Sequence, residues 1–558
     1  MTARLARLAG VLVLLTLLAS CVSFPDDGPV RQGDPEVAEP GSVALLIRPP
    51  DPGDGPQQIV EGFLRAAAAG LTDDFVVARE FLTGTVKEEW DPLAQVTVLS
   101  GEPLITNEAS VGAYLVVADA SAVLDAAGRY TEAVPGATAR LAVGLELDPE
   151  GRWRISDVPD GSLLPEAVFR SLYQKLPLHF VTPAGGALAA ETRWFPRRDA
   201  AASAVRGLLH GPSPWLAEGA ASRFPDGAEL AADAVPVRDG IAQVDLSREV
   251  RAVREPSRGL MLAQLNETLT GLPHVDSVTV TAGGTPLDMS GVPTGLVVDP
   301  SVGTNPVVLA GDALWTVEGV ELEPWQDART ITAAAPSHPA VGYGGEAVVL
   351  SGQTALVTVA REGVREATLL SGQDVLSPPS FDRFGWVWTA PEENRGFAIA
   401  ARTGERVEVD APWLDEREVL ALRVSREGAR VLVLSVDGVT VSLEVAAVTR
   451  DAAGRPQSLG APLQIGQRIA RASTAAWVDR QTVAVLGQLD GATSDTVLLS
   501  VVGGPTSALP VVEDAVGIAA GKGDQLIVLV TGSGELYSRS GLDWTQTAQN
   551  VRDPAFPG

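Results

Sequence analysis

A chain of 558 residues is longer than one hydrophobic core usually serves, so several domains are expected. Its 70 acidic against 42 basic side chains give a net charge of −28, which lacks the basic footprint of a nucleic-acid partner. The 45% hydrophobic content argues for folded cores, and the one cysteine excludes an internal disulfide and a cysteine-built zinc site.

Residues 1–20 read as an export signal. Arg4 and Arg7 form a positive start, and Leu8 to Leu18 is almost continuously apolar yet short for a bilayer span. The segment closes in Leu18-Ala19-Ser20-Cys21, small residues before the only cysteine. This resembles the bacterial lipobox. The resemblance implies cleavage before Cys21, which would carry S-diacylglycerol and N-acyl chains and hold the protein on the extracytoplasmic face of the cell membrane. No later stretch approaches the roughly 18 apolar residues that a spanning helix needs. Residues 21–40, with five acids and four prolines after Cys21, read as a lipidated flexible tether of roughly 25 Å reach.

Residues 41–176 read as an α+β domain. Ile59, Val60, Phe63, Leu64, Ala67 and Ala68 fall at helical spacing, and a second helix would carry Phe75, Ala78 and Leu82. Strands then follow at Val96–Leu99, Val111–Val117 and Ala139–Leu147, with a turn at 149–151 returning through Trp153-Arg154-Ile155. Helices first and a sheet afterwards resembles the nuclear-transport-factor-2-like domains.

Residues 177–293 read as a second α+β domain. A helix over Ala200–His210 is stopped by Gly211-Pro212, a strand follows the turn at Gly240, and Val275–Thr281 alternates as another. Between them Arg258–Leu272 reads as a helix with Met261 or Leu262, Leu265, Leu269 and Leu272 on one side. The Leu-Leu-His-Gly-Pro at 208–212 and the Asp-Gly-Ile-Ala-Gln-Val-Asp-Leu-Ser at 239–247 resemble the sporulation-and-germination (GerMN) domain. That family brings no catalytic residue with it.

Residues 295–558 change period. Short apolar strands alternate with Gly, Asp and Ser turns, among them Ala313–Val317, Ala347–Leu350, Ala355–Val359, Trp386–Thr389, Leu420–Val424, Val431–Ser435, Thr440–Val445, Thr482–Leu486, Thr496–Val501 and Gln525–Val530. At about 40–45 residues a blade, this length makes an all-β propeller of about six blades, with a pair of β-sandwiches as the alternative. The change of period near Gly295 predicts that 295–558 folds by itself.

Together with Ser-Phe-Pro-Asp-Asp-Gly-Pro-Val at 23–30 and Pro-Pro-Ser-Phe-Asp-Arg-Phe-Gly-Trp-Val-Trp-Thr at 378–389, these parts resemble the actinobacterial LpqB lipoprotein family over essentially the whole chain. The resemblance implies an accessory of a two-component system, bound to the extracytoplasmic domain of an Mtr-type sensor histidine kinase and affecting cell division and envelope homeostasis.

The residues offer little for an enzyme. His179, His210, His274 and His338 are scattered without metal spacing and read as surface or capping groups. No Gly-x-Ser-x-Gly elbow, P-loop or dinucleotide fingerprint occurs, so no catalytic, cofactor or metal residue is assigned. Asp382 and Arg383 read as a turn ion pair, and Trp386 and Trp388 as the filling of a blade. The alternative to a kinase accessory is a cell-wall carbohydrate binder or weak hydrolase using acids at the propeller mouth.

Overall fold

A computed structural model describes residues 47–558 except 109, 111, 184, 185, 289, 290 and 294. The signal segment, Cys21 and the tether lie outside the described residues. The described residues belong to one compact unit.

The first part opens with the helix Pro56–Ala69. Pro56 supplies a pre-set first turn, the Gln58 side chain accepts the Gly55 N–H at 2.8 Å, and Ile59, Val60, Phe63, Ala66 and Ala67 bury one stripe. Two short helices, Val76–Glu80 and Val86–Glu89, lead to Trp90, whose ring packs against Phe63 and Phe75. The main sheet then runs in the order 153–157, 138–147, 113–125, 95–99, 162–165. Its strands are antiparallel except the last pair. The long strand Ala113–Asp125 alternates buried and half-buried residues along much of its length, so one face covers the helix and the other approaches its neighbours.

The second part begins with a hairpin, Tyr173–Val181 and Leu188–Pro196, whose first strand crosses the expected boundary at 176/177. From Leu176 to Phe195 nearly every residue of both strands is buried, polar His179, Glu191, Thr192 and Arg193 included, so no apolar-polar alternation marks them in the sequence. The helix Ala200–His210 ends at Gly211, whose φ of +86° needs glycine. Strands Ile241–Leu246 and Ser277–Ala282 are parallel, joined through the helix Ser257–Leu269. That helix is buried from Gly259 through Leu265 and again at Thr268 and Leu269, so the expected one-sided stripe is replaced by burial nearly all round.

The third part is a propeller of four-stranded antiparallel groups. Its inner strands, Pro336–Val341, Ser380–Phe381, Glu418–Val424, Ile469–Trp477, Ala515–Ala520 and Arg552–Ala555, follow one another around an axis. The ring closes because Arg552–Ala555 pairs with Val307–Ala310, which joins the end of this part to its beginning. The groups beginning at Ser380 and Glu418 merge into one nine-stranded sheet through the strand Pro456–Leu459. Trp386 and Trp388 fill the core between these two groups, as read from the sequence.

The largest core does not respect the boundary near 295. Leu178, Phe180, Leu208, Leu216 and Leu262 of the second part belong to one apolar cluster with Ala429, Leu432, Leu443, Trp477 and Val485 of the propeller. The expectation that 295–558 folds alone therefore meets an obstacle, since excision would bare that face to water.

Candidate functional site

Three places bring polar side chains together, and the strand Leu188–Pro196 reaches two of them. At its end Trp194 ties the three parts. Its backbone N–H donates to the Gly128 carbonyl at 2.8 Å, and its indole Nε1–H donates to the Gly503 carbonyl at 2.9 Å. Its ring centroid lies 5.5 Å from Tyr130 and 5.3 Å from Phe169. Gly128 has φ +79°, and a Cβ there would stand 2.6 Å from the Trp194 carbonyl oxygen, so the approach requires glycine. Beside this contact the buried Glu132 accepts from the Thr506 N–H and from its hydroxyl, each at 2.9 Å. Burial raises the Glu132 pKa against these hydrogen bonds. A cavity of ≈570 Å³ opens here, lined by Tyr130, Glu132, Phe169, Trp194, Arg468 and Thr506 among others. A second cleft of ≈550 Å³ separates the first and second parts on the other side of Trp194. Arg129 crosses that seam to the Ser213 hydroxyl at 2.6 Å.

The second place joins the hairpin to the propeller. Arg430 is 1% exposed, and its Nε and Nη2 grip both oxygens of the buried Glu427 at 2.7 and 3.2 Å. Its Nη1 donates to the carbonyls of Ala190 and Arg480, at 3.0 and 2.9 Å, so one guanidinium bonds both parts while lying 4.9 Å over the Trp477 ring. His179 sits beside it, fully buried. Its Nε2 lies 3.4 Å from an Arg480 nitrogen and so accepts, leaving Nδ1 to donate to the Thr268 hydroxyl oxygen at 3.3 Å. Burial, then Arg480 and Arg430, press its pKa down to about 3, and the ring stays neutral. The surface or capping role expected for this histidine is thereby corrected: Leu178 and Phe180 carry it into the shared core. His210 does cap, its Nδ1 lying 2.7 Å from the Arg206 carbonyl, and His338 lies half-exposed near Asp553.

The third place is the 378–389 motif. Asp382 is 1% exposed and accepts four hydrogen bonds: Phe384 N–H and Trp386 N–H on Oδ1, Trp388 Nε1–H and Arg450 Nη2–H on Oδ2. The turn is as expected, but the ion-pair partner is Arg450 at 2.7 Å and not Arg383, because Arg450 comes from the next group of strands and seals the joint. Arg383 instead lies 5.5 Å over the Phe384 ring.

These carboxylates are engaged: Glu427, Glu191 and Asp382 each hold an arginine and further N–H or O–H donors. The arrangement fixes domains and leaves concave clefts between them, a geometry suited to binding. Among the described residues no group of three or more His, Cys, Asp or Glu could hold a metal ion, and no helix is long and apolar enough to cross a membrane. Glu132, Trp194, Glu427 and Arg430 escaped the sequence reading: Glu132, Trp194 and Arg430 bond residues hundreds of positions away, and the Glu427–Arg430 pair looks in the chain like an ordinary turn pair until the fold buries it.

Comparison with known proteins follows the same three parts. The family described as "Lipoprotein LpqB, N-terminal domain" matches residues 49–170, "Sporulation and spore germination" (Germane) matches 177–288, and "Lipoprotein LpqB beta-propeller domain" matches 312–557. Lipoprotein LpqB of Streptomyces coelicolor is 27% identical, covering 98% of this chain and 96% of its own. Lipoprotein LpqB of Cutibacterium acnes is 30% identical over 52% of this chain and 49% of its own. Among solved structures, the tandem GerMN domains of the sporulation protein GerM from Bacillus subtilis cover 26% of this chain and 58% of that one, at 16% identity and TM-score 0.18, a likeness that carries no argument. The order of an N-terminal domain, a Germane domain and a β-propeller defines a multidomain protein of the lipoprotein class. Within that class the chain belongs to the LpqB family.

Proposed function

We propose that the protein is a lipoprotein held at the extracytoplasmic face of the cell membrane by acyl chains on Cys21. There it acts as an accessory of an Mtr-type sensor histidine kinase, influencing cell division and envelope homeostasis. The observation that carries this is the end-to-end relation to proteins named lipoprotein LpqB, together with the lipobox that ends at Cys21. The Germane domain and the propeller share one core, which supports it, since such a junction presents a preorganised surface to a partner. Loss of Arg4 and Arg7 on cleavage makes the charge more negative than −28, which disfavours adsorption to anionic head groups and favours an Arg- or Lys-bearing partner. Tethering near the membrane raises the effective concentration of a membrane-embedded kinase, so a weak contact suffices.

Crosslinking in intact cells with mass-spectrometric identification tests the partner. Recovery of a sensor kinase, with altered phosphorylation of its response regulator in a deletion strain, is expected. Failure of both overturns the reading. The Cys21→Ser variant should keep its signal segment and carry no lipid mass, because the thiol receives the lipid before cleavage, and durable anchoring of the wild type needs more than one chain. A wild-type mature protein without added lipid mass would refute the anchor.

A further inference from the structure

The propeller axis carries two arginines whose hydrogen bonds all go to backbone carbonyls. Arg423 projects from the inner strand Glu418–Val424, and Arg426 from the turn that follows. Both Nη groups of Arg426 are engaged, Nη1 by the Val478 carbonyl and Nη2 by those of Trp477, Ala520 and Gly521, at 2.8 to 3.1 Å. Arg423 is different. Its Nη1 donates to the carbonyls of Pro378, Pro379 and Leu422 at 2.7, 3.3 and 3.1 Å, while its Nε and Nη2 bond no described group. Burial alone, with no carboxylate to oppose it, pulls the Arg423 pKa down to about 10.

Next to that guanidinium stands a second donor. Ser380, fully buried on the neighbouring inner strand, accepts the Val424 N–H on its Oγ at 3.1 Å, and its hydroxyl proton has no described acceptor. Pro379, whose carbonyl Arg423 holds, is the residue before Ser380, so both donors share one wall. They border a cavity of ≈80 Å³ on the axis, whose other walls include Ala340, Trp477, Ala519 and Phe556. A guanidinium with unused Nε–H and Nη2–H, a second guanidinium at Arg426, an unused hydroxyl proton and no acidic side chain in the lining make a site that lacks only its acceptor.

We propose that this chamber is an anion site, in which Arg423 and Ser380 hold one small carboxylate or oxyanion of the size of acetate or phosphate. The two guanidinium groups on its walls exclude a metal cation. The adjacent Nε–H and Nη2–H of a guanidinium form a planar fork that matches two oxygens, which selects an oxyanion over a halide.

The test uses the chain from Cys21 onward and isothermal titration with acetate and with phosphate, replacing chloride at constant ionic strength. Saturable binding is expected, with a thermal midpoint that rises with anion concentration. Arg423→Met should abolish both effects. Arg423→Lys, which keeps the charge and loses the fork, should weaken binding at least about tenfold. Ser380→Ala should weaken it while leaving the charge untouched, and it serves as the readout if Arg423→Met does not fold. No saturable binding of either anion, an Arg423→Met protein that binds as the wild type does, or a chloride response with the same midpoint overturns the site.

Discussion

The Germane domain meets its two neighbours through opposite chemistry. Toward the propeller it is dry: Leu178, Phe180, Leu208 and Leu216 merge with Leu432, Leu443 and Val485 in one core, and the polar groups there, Arg430, Glu427 and His179, are fully enclosed. The N-terminal domain, by contrast, is seamed against the Germane domain and the propeller by two clefts of ≈550 and ≈570 Å³, and the bonds that cross are scattered and mostly polar, among them Arg129 to Ser213, Arg198 to Leu71 and Asp74, Trp194 to Gly128 and Thr506 to Glu132. A large apolar junction behaves as one folding unit, whereas a polar, cleft-lined one leaves room for relative motion. The two α+β domains are thus unequal, and the second is energetically part of the propeller.

Cutting the chain is the strongest way to break this comparison. A fragment 173–558, which keeps the hairpin strand Tyr173–Val181 whole, should unfold in one cooperative transition, whereas 295–558 should aggregate or bind a hydrophobic dye, because its Germane-facing strands lose their cover. Equal solubility and equal thermal midpoints for the two fragments would refute the shared core.

A single side chain gives the next largest effect. Arg430→Met removes the guanidinium but leaves Glu427 buried without its partner, and breaking such a pair costs about 3–5 kcal/mol. Adding Glu427→Leu should recover much of the loss, since a buried pair replaced by apolar groups is often close to neutral. Chemical denaturation of the two variants checks both statements, and a loss below about 1 kcal/mol for Arg430→Met would show that the ion pair is not closed to solvent.

How much of this was legible follows from where each signal sits. The helix Pro56–Ala69 and the outer propeller strands Thr482–Leu489 and Thr496–Val501 carry strong local periodicity, and the sequence reading meets them within a few residues. The inner strands Ser380–Phe381, Pro336–Val341 and Ala515–Ala520 went unread. They crowd the axis, so they are short and rich in Ala, Gly, Pro and Ser, residues that otherwise signal turns. The hairpin 173–196 was missed because burial on both faces erases alternation. The 378–389 motif announced its turn and its tryptophans, but Arg450, 68 positions from Asp382, could be paired with it only by the fold.

The polar seam should respond more gently. Glu132→Ala deprives the Thr506 N–H and hydroxyl of their acceptor in a buried place, a loss of about 1–3 kcal/mol. Because the seam can open by itself, amide exchange should quicken in 95–165 and around Thr506 while the propeller strands 482–501 keep their protection. Uniform quickening across the whole chain would mean that the seam is as tightly coupled as the dry junction.

Acidity should move the two junctions in opposite directions, and this is the finest test of the contrast. His179 is held near a pKa of about 3 in the fold, against about 6.5 when unfolded, so between those values the unfolded chain binds the extra proton. Its contribution is complete above about pH 6.5 and falls as the pH drops toward 3, by at most about 1.4 kcal/mol per pH unit. Glu132 has its folded pKa raised by burial, so just above the ordinary glutamate range the folded chain binds the proton first, and mild acid favours the seam. Thermal midpoints between pH 4 and 7.5 for the wild type, His179→Gln and Glu132→Gln separate the two. His179→Gln should flatten the loss of stability below pH 6.5, and Glu132→Gln should steepen it. If His179→Gln shows the acid limb of the wild type unchanged, the imidazole is not enclosed, and the dry character assigned to the Germane–propeller junction falls with it.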